Sequence, residues 1–149
     1  MVRRVAPRSP APIDAGWSCG YAAVVPADTR SAEEWARAVW EGAPAALRLL
    51  MVAGWRLVLR LKLGPRSDDG HVLGWTITNR SPDQVVVEAV SPLLTAQNTF
   101  LRDGDRIVWS TFVRYERGVA RLVWLPVSLL HRLLVRFSLG HAAANRDRA

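Results

Sequence analysis

The sequence predicts one α+β domain, a curved antiparallel sheet packed on a long C-terminal helix with two short helices after the first strand. Three observations predict it. Between His71 and Tyr115 apolar residues recur at alternate positions through four runs separated by turn signals, as strands with one covered face require. Residues 119–139 repeat apolar residues at helical spacing. Between a first short strand and the meander lie two segments bounded by helix start and stop signals.

Taken in order, Trp17 to Val25 is aromatic and β-branched in part and stops at Pro26, which reads as a strand. Asp28 to Ser31 follows, and Ser31 with Glu34 forms a capping box in which hydroxyl and carboxylate satisfy free backbone donors at a helix start. Trp35, Ala36, Val39 and Trp40 then form one apolar stripe. Gly42 ends this helix and Pro44 opens a second. The second carries Leu47, Leu50, Met51, Gly54 and Trp55 on one side and runs to about Leu57. The alternation of Leu57, Leu59, Leu61 and Leu63 also fits a strand, so the end stays open. Gly64 to Gly70 reads as a loop.

In the meander, Leu73, Trp75 and Ile77 share one face and the turn falls at Asn79 to Asp83. Val85, Val87 and Ala89 form the next inward set, with Val86, Glu88 and Val90 outward. After Ser91-Pro92 come Leu94, Ala96, Asn98 and Phe100. Arg102 to Asp105 contains an Asp-Gly hairpin signal, and Ile107, Trp109, Thr111, Val113 and Tyr115 complete the series. Gly118 leads into the last helix. Arg121, Ser128, Arg132 and Arg136 share its expected solvent face; Leu122, Val123, Val127, Leu130, Leu133, Leu134 and Phe137 form the expected buried face. Pro126 is expected to kink the helix or mark an opening turn. Only this helix is long and apolar enough to cover the sheet, and sheet curvature leaves space between them, a helix-grip arrangement.

The bulk numbers agree. A chain of 149 residues suits one domain and can bury roughly 70% of its unfolded surface. Seven tryptophans and a half-apolar composition exclude global disorder. A single cysteine, Cys19, excludes an intrachain disulfide framework and points to a reducing compartment, hence a cytoplasmic location. Residues 1–15 read as a disordered, basic, Pro-rich arm without the apolar stretch of a secretory signal, 16–140 as the domain and 141–149 as a frayed tail. Arginines interrupt both long helical segments, so neither reads as a membrane span. The net charge of +7 is almost all arginine and speaks to nonspecific attraction, not to fold.

Several stretches resemble the START-like superfamily of polyketide-cyclase-like (SRPBCC) and lipid-transfer domains, and within it a small bacterial group of unknown function. They are Arg30 to Val39, Glu41 to Pro44, Val72 to Trp75, Phe112 to Arg117, and Leu122 to Pro126 with His131-Arg132. The likeness spans about Tyr21 to Leu139 and implies a hydrophobic cavity for a lipid, polyketide or similar ligand. It implies no particular reaction.

The expected wall is Trp75, Ile77, Val113 and Leu130, with Asn98, Thr111, Tyr115 and His131 as polar or titratable exceptions that orient a ligand or bond one another. His131 either faces the cavity as a proton-transfer group or packs its ring at the helix margin. No carboxylate can be set beside it, because Glu88 and Glu116 fall outward, and no catalytic residue is assigned. His71, His131 and His141 lack metal-ligand spacing, and no nucleophile elbow or phosphate loop occurs. The tryptophans fall on buried stripes, so core packing accounts for them better than stacking on nucleic acid. The expected partner is therefore a hydrophobic small molecule, with no cofactor, metal or nucleic acid. Peripheral membrane contact stays open, as does monomer against homodimer. A noncatalytic binding module ranks first. A cyclase, dehydratase or hydrolase using Tyr115 or His131 is the enzymatic alternative, and an interaction or structural domain the third.

Overall fold

The computed structural model describes residues 2–25 and 29–145. Expectations placed on Pro26, on Asp28 and on the last four residues of the tail lie outside the described residues. The strands are β1 (Val2–Val5), β2 (Trp17–Val24), β3 (Ser67–Asp68), β4 (His71–Val72), β5 (Trp75–Ser81), β6 (Gln84–Val90), β7 (Leu94–Asp103) and β8 (Arg106–Tyr115). They form one antiparallel sheet in the order β1-β2-β8-β7-β6-β5-β4-β3. Two helices, α1 (Ala32–Trp40) and α2 (Ala45–Ala53), follow β2, and α3 (Gly118–Ala144) ends the chain. This is the α+β helix-grip architecture that the pattern predicts.

Local chemistry explains the boundaries. Ser31 caps α1, its hydroxyl accepting from the Glu34 N–H at 3.1 Å. The predicted stripe of Trp35, Ala36, Val39 and Trp40 is buried. Pro44 stands at the start of α2, which passes into a π-helical turn over Gly54–Val58 instead of ending cleanly. The leucines beyond it continue neither helix nor strand: Leu59 and Leu61 are buried in irregular backbone, and the Lys62 N–H donates to the Val90 carbonyl. The β7–β8 hairpin turns at Gly104, whose φ of +62° is the left-handed region glycine tolerates. The turn expected over Asn79 to Asp83 narrows to Pro82 and Asp83: β5 runs on to Ser81, with an irregularity in register between Ile77 and Asn79.

Four further expectations are corrected. The N-terminal arm is not disordered: β1 pairs with β2, and the segment after it crosses the outer face of the sheet. There Ser110 Oγ accepts from the Arg8 N–H (2.9 Å), Thr99 Oγ1 donates to the Arg8 carbonyl (2.6 Å) and Gln97 Nε2 donates to the Ala11 carbonyl (2.8 Å). A segment without an apolar pattern is thus held through polar groups of the sheet, and Gln97, Thr99 and Ser110 are buried. The tail is helical through Ala144. Leu139 and Ala142 are buried, and Gly140 lies against Val2, so the two chain ends order each other. The loop at Gly64 to Gly70 contains β3, paired with β4.

The fourth correction concerns the faces of α3. Its buried stripe is Ala120, Trp124, Ser128, Val135, Ser138, Leu139 and Ala142; of the expected face, only Val123, Val127 and Leu134 pack, half-buried, against the core. Small residues let the helix approach the sheet closely, so Ser128 is buried while Leu122, Leu130, Leu133 and Phe137 stand exposed. Pro126 sits within a continuous α-helix.

Cys19 is buried on β2, and burial pushes its thiol up to about 11. The native protein is expected to react with 5,5′-dithiobis(2-nitrobenzoate) at pH 8 only at the rate of global opening, whereas the denaturant-unfolded chain reacts at once. Rapid native labelling would show that β2 opens locally.

Candidate functional site

α2 and its π-helical turn, the inner face of β5, β7 and β8, and α3 enclose a cavity of about 320 Å³. Its floor is aromatic. Trp40 packs its ring within 5.1 Å of Trp55, 5.3 Å of Trp75 and 5.9 Å of Trp109, centroid to centroid. Trp109 in turn stacks on Phe100 at 5.1 Å. On the α3 side, Trp124 meets Trp17 edge-on at 5.0 Å and His131 at 5.5 Å. The rim is aliphatic: Leu50, Leu57, Val58 and Leu130 both line the cavity and reach solvent.

One polar network crosses this apolar wall. The Trp109 indole N–H donates to Asn98 Oδ1 at 2.8 Å, and Thr111 Oγ1 lies 2.6 Å from the same oxygen. An indole can only donate, so the amide oxygen is fixed as the acceptor, and the Thr111 hydroxyl must donate its one proton there. His131 Nε2, 3.1 Å from Thr111 Oγ1, is then the donor to that hydroxyl. His131 accordingly carries a proton on Nε2, and its lowered pKa makes it the neutral imidazole at pH 7, with the Nδ1 lone pair uncommitted. Burial among Trp17, Trp109 and Trp124, helped by the neighbouring Arg132 charge, lowers its pKa to about 4.

Three buried donors of the cavity wall remain among the described residues. The indole N–H groups of Trp40, Trp75 and Trp124 have no hydrogen-bond partner, and all three residues line the cavity. Leaving such a group unpaired costs about 1–3 kcal/mol. The wall therefore offers donors in excess of acceptors.

Of the residues singled out from sequence, Trp75, Asn98, Thr111, Leu130 and His131 come together on the cavity wall. Ile77, Val113 and Tyr115 do not line it. Val113 shares the inward parity of Thr111 but pairs with Trp17, whose ring meets Trp124, so that end of the sheet is closed by packing. Tyr115 lies beyond it, under the Arg121 guanidinium at 5.3 Å. Ile77 sits at the irregularity in β5. Missed from sequence were Trp40, Trp109, Trp124, Val127 and the residues of the π-helical turn. The first three were visible as buried stripes; their convergence was not.

Among the described residues no carboxylate joins the network. Glu88 accepts from Gln97 Nε2 (2.9 Å), and Glu116 from the Thr95 hydroxyl (2.8 Å), on the outward parity of their strands. Among the described residues no group of three or more His, Cys, Asp and Glu could hold a metal ion.

No protein-family model matches the chain, and no curated protein matches it. Among solved structures it is similar to CalU16 from Micromonospora echinospora at 14% identity and a TM-score of 0.44, over 99% of this chain and 89% of that one.

Proposed function

We propose that the protein binds a neutral, largely apolar small molecule carrying acceptor oxygens in the cavity between α2, the sheet and α3. The observation that carries this reading is the wall itself: an apolar enclosure of about 320 Å³ bearing three unpartnered indole donors and an Asn98–Thr111–His131 network. Ligand pockets of roughly 300–1,000 Å³ combine apolar walls with a few polar groups that fix orientation. This cavity stands at the small end, which suits a compact ring system or a single acyl chain. A carbonyl or ether oxygen would satisfy indole donors that the fold leaves unpaired.

An acid–base enzyme is the second reading, and His131 is the residue it retains, because Tyr115 lies outside the cavity. A neutral imidazole with a free Nδ1 could accept a proton, but no carboxylate orients it.

Native mass spectrometry of the purified protein, followed by extraction of bound small molecules, tests the binding reading. A neutral naphthoquinone, with two carbonyl acceptors on an apolar frame, is expected to quench tryptophan fluorescence saturably. It should bind about tenfold or more tightly than naphthalene, which has no acceptor. Leu130→Trp at the rim and Ala96→Leu on the wall are each expected to weaken that binding at least about tenfold. An empty native mass together with no saturable quenching by either probe overturns the reading.

A further inference from the structure

The exposed apolar residues of this protein are concentrated on three elements, with Leu50, Leu57, Val58 and Leu130 at the cavity rim and Leu129 and Leu133 beside a groove against β1 and β2. Apart from Val24 and Val90, the large exposed hydrophobics of the described residues all lie on α2, its π-helical turn and α3. On α3 they make a stripe through Leu122, Leu125, Leu129, Leu133 and Phe137, spaced three, four, four and four residues apart. Leu122 is 71% exposed, Leu129 65% and Leu133 63%, and across the cavity mouth Leu57 is 76% exposed. Soluble surfaces rarely leave so much apolar area contiguous without a partner for it.

The charge on the same elements has one sign. No Asp or Glu occurs between Gly42 and Asp68 or between Arg117 and Asn145. Arg56 lies within the π-helical turn and Arg60 and Lys62 follow it, and Arg121, Arg132 and Arg136 border the leucine stripe on α3. None of these cations has an ion pair among the described residues, whereas Arg8, Arg37, Arg80, Arg106 and Arg114 elsewhere each hold a carboxylate. An apolar stripe edged by unpaired arginines fits an anionic lipid surface, where leucines enter the acyl boundary and guanidinium groups meet phosphates. A second copy fits worse, since a shared interface would set one unpaired cationic border against another.

We propose that α3 and the π-helical turn form a peripheral docking surface for anionic bilayers, which seats the mouth of the cavity against the membrane. The α3 helix is long and apolar enough to cross a membrane, with a mean hydropathy of 1.4 over its most apolar window. Its opposite face is committed to the sheet through Trp124, Ser128, Val135 and Leu139. Lying in the interface keeps that packing; spanning would forfeit it. This surface is independent of what the cavity holds, and the ligand titrations above use no vesicles, so failure of either reading is seen separately.

The test is flotation of the full chain with vesicles of phosphatidylcholine and phosphatidylglycerol in equal parts, beside pure phosphatidylcholine. Binding is expected to the anionic vesicles and to fall steeply between 50 mM and 500 mM salt, as screening shortens the reach of surface charge. Each of Arg56→Gln, Arg121→Gln and Arg136→Gln is expected to weaken binding about fivefold. The triple variant Leu122→Ser/Leu129→Ser/Leu133→Ser, all at exposed positions, should fold normally and lose flotation. No flotation with anionic vesicles overturns the proposal, as does binding indifferent to lipid charge and to these arginines. Resistance to alkaline carbonate extraction would replace it with insertion. A concentration-dependent dimer in sedimentation velocity, abolished by the leucine triple variant, would replace it with self-association.

Discussion

Replacing Trp40 with alanine destabilises the protein by about 3–5 kcal/mol, the range for truncating a buried aromatic. Trp40 is fully buried at the end of α1, and its ring meets Trp55, Trp75, Phe100 and Trp109 at centroid distances of 5.1 to 5.9 Å. Removing it enlarges a space that the cavity already borders, so neighbours cannot collapse from every side and the loss falls high in the range. For a domain whose whole stability is about 5–15 kcal/mol, that is a large share. Urea unfolding followed by far-ultraviolet circular dichroism measures it. Trp40→Phe separates area from polarity. It keeps most of the buried surface and discards an indole N–H with no protein partner, so about 1–2 kcal/mol is expected. If the N–H serves a ligand, the phenylalanine variant loses naphthoquinone affinity out of proportion to its small loss of stability. Equal losses in the alanine and phenylalanine variants would show that packing is not what Trp40 supplies.

Acidification between pH 6.5 and pH 4 is expected to destabilise the fold by on the order of 3 kcal/mol through His131. In the unfolded chain the imidazole titrates near 6.5, whereas in the fold burial holds it at about 4. Above pH 6.5 both states are neutral and His131 contributes no pH dependence. Below it the unfolded chain binds a proton that the native state refuses, so stability falls as pH falls, at most about 1.4 kcal/mol per pH unit. Below pH 4 the native imidazole also protonates and this contribution levels off. Hydrogen bonds and charge hold Asp68, Asp103 and Glu116 below their ordinary values, and what they add is lost at lower pH. The interval from 6.5 to about 4.5 therefore belongs to His131. Urea midpoints across that interval should slope for the wild type and flatten for His131→Gln. A flat wild-type profile would mean that the ring is hydrated and titrates normally. Protonation also breaks the assignment at the site, because an imidazolium ion has no free lone pair at Nδ1. Any ligand hydrogen-bonded there should leave over the same range.

Legibility differed by element for physical reasons. The α1 stripe, the β7–β8 hairpin and the inward residues of β7 follow from local rules: a cap, an Asp-Gly turn and a period of two. So does the placement of Asn98 and Thr111, which share a face on paired strands and end within hydrogen-bond reach. Tyr115 and Val113 share the parity of Thr111 yet miss the cavity, because parity fixes a face of the sheet and not a distance along it. The arm at residues 2–15 carries no periodicity to read, since its order comes from polar groups of distant strands. On α3 the pattern itself misleads, because leucine occupies more of the circumference than the sheet can cover.

Residue spacing suffices for the order of elements, the antiparallel meander, the covering helix and the supply of aromatic residues for one core. These depend on contacts between near neighbours in the chain, where spacing is geometry. Only the folded chain settles which face of α3 is buried, that the chain ends support each other, and that five of the seven tryptophans line one cavity, with Trp17 packed behind Trp124 and Trp35 beside Arg30. Burial favours any apolar face about equally per unit area, so composition cannot choose between two of them. Close approach can: Ala120, Ser128, Ser138 and Ala142 admit the sheet where the leucines would hold it away.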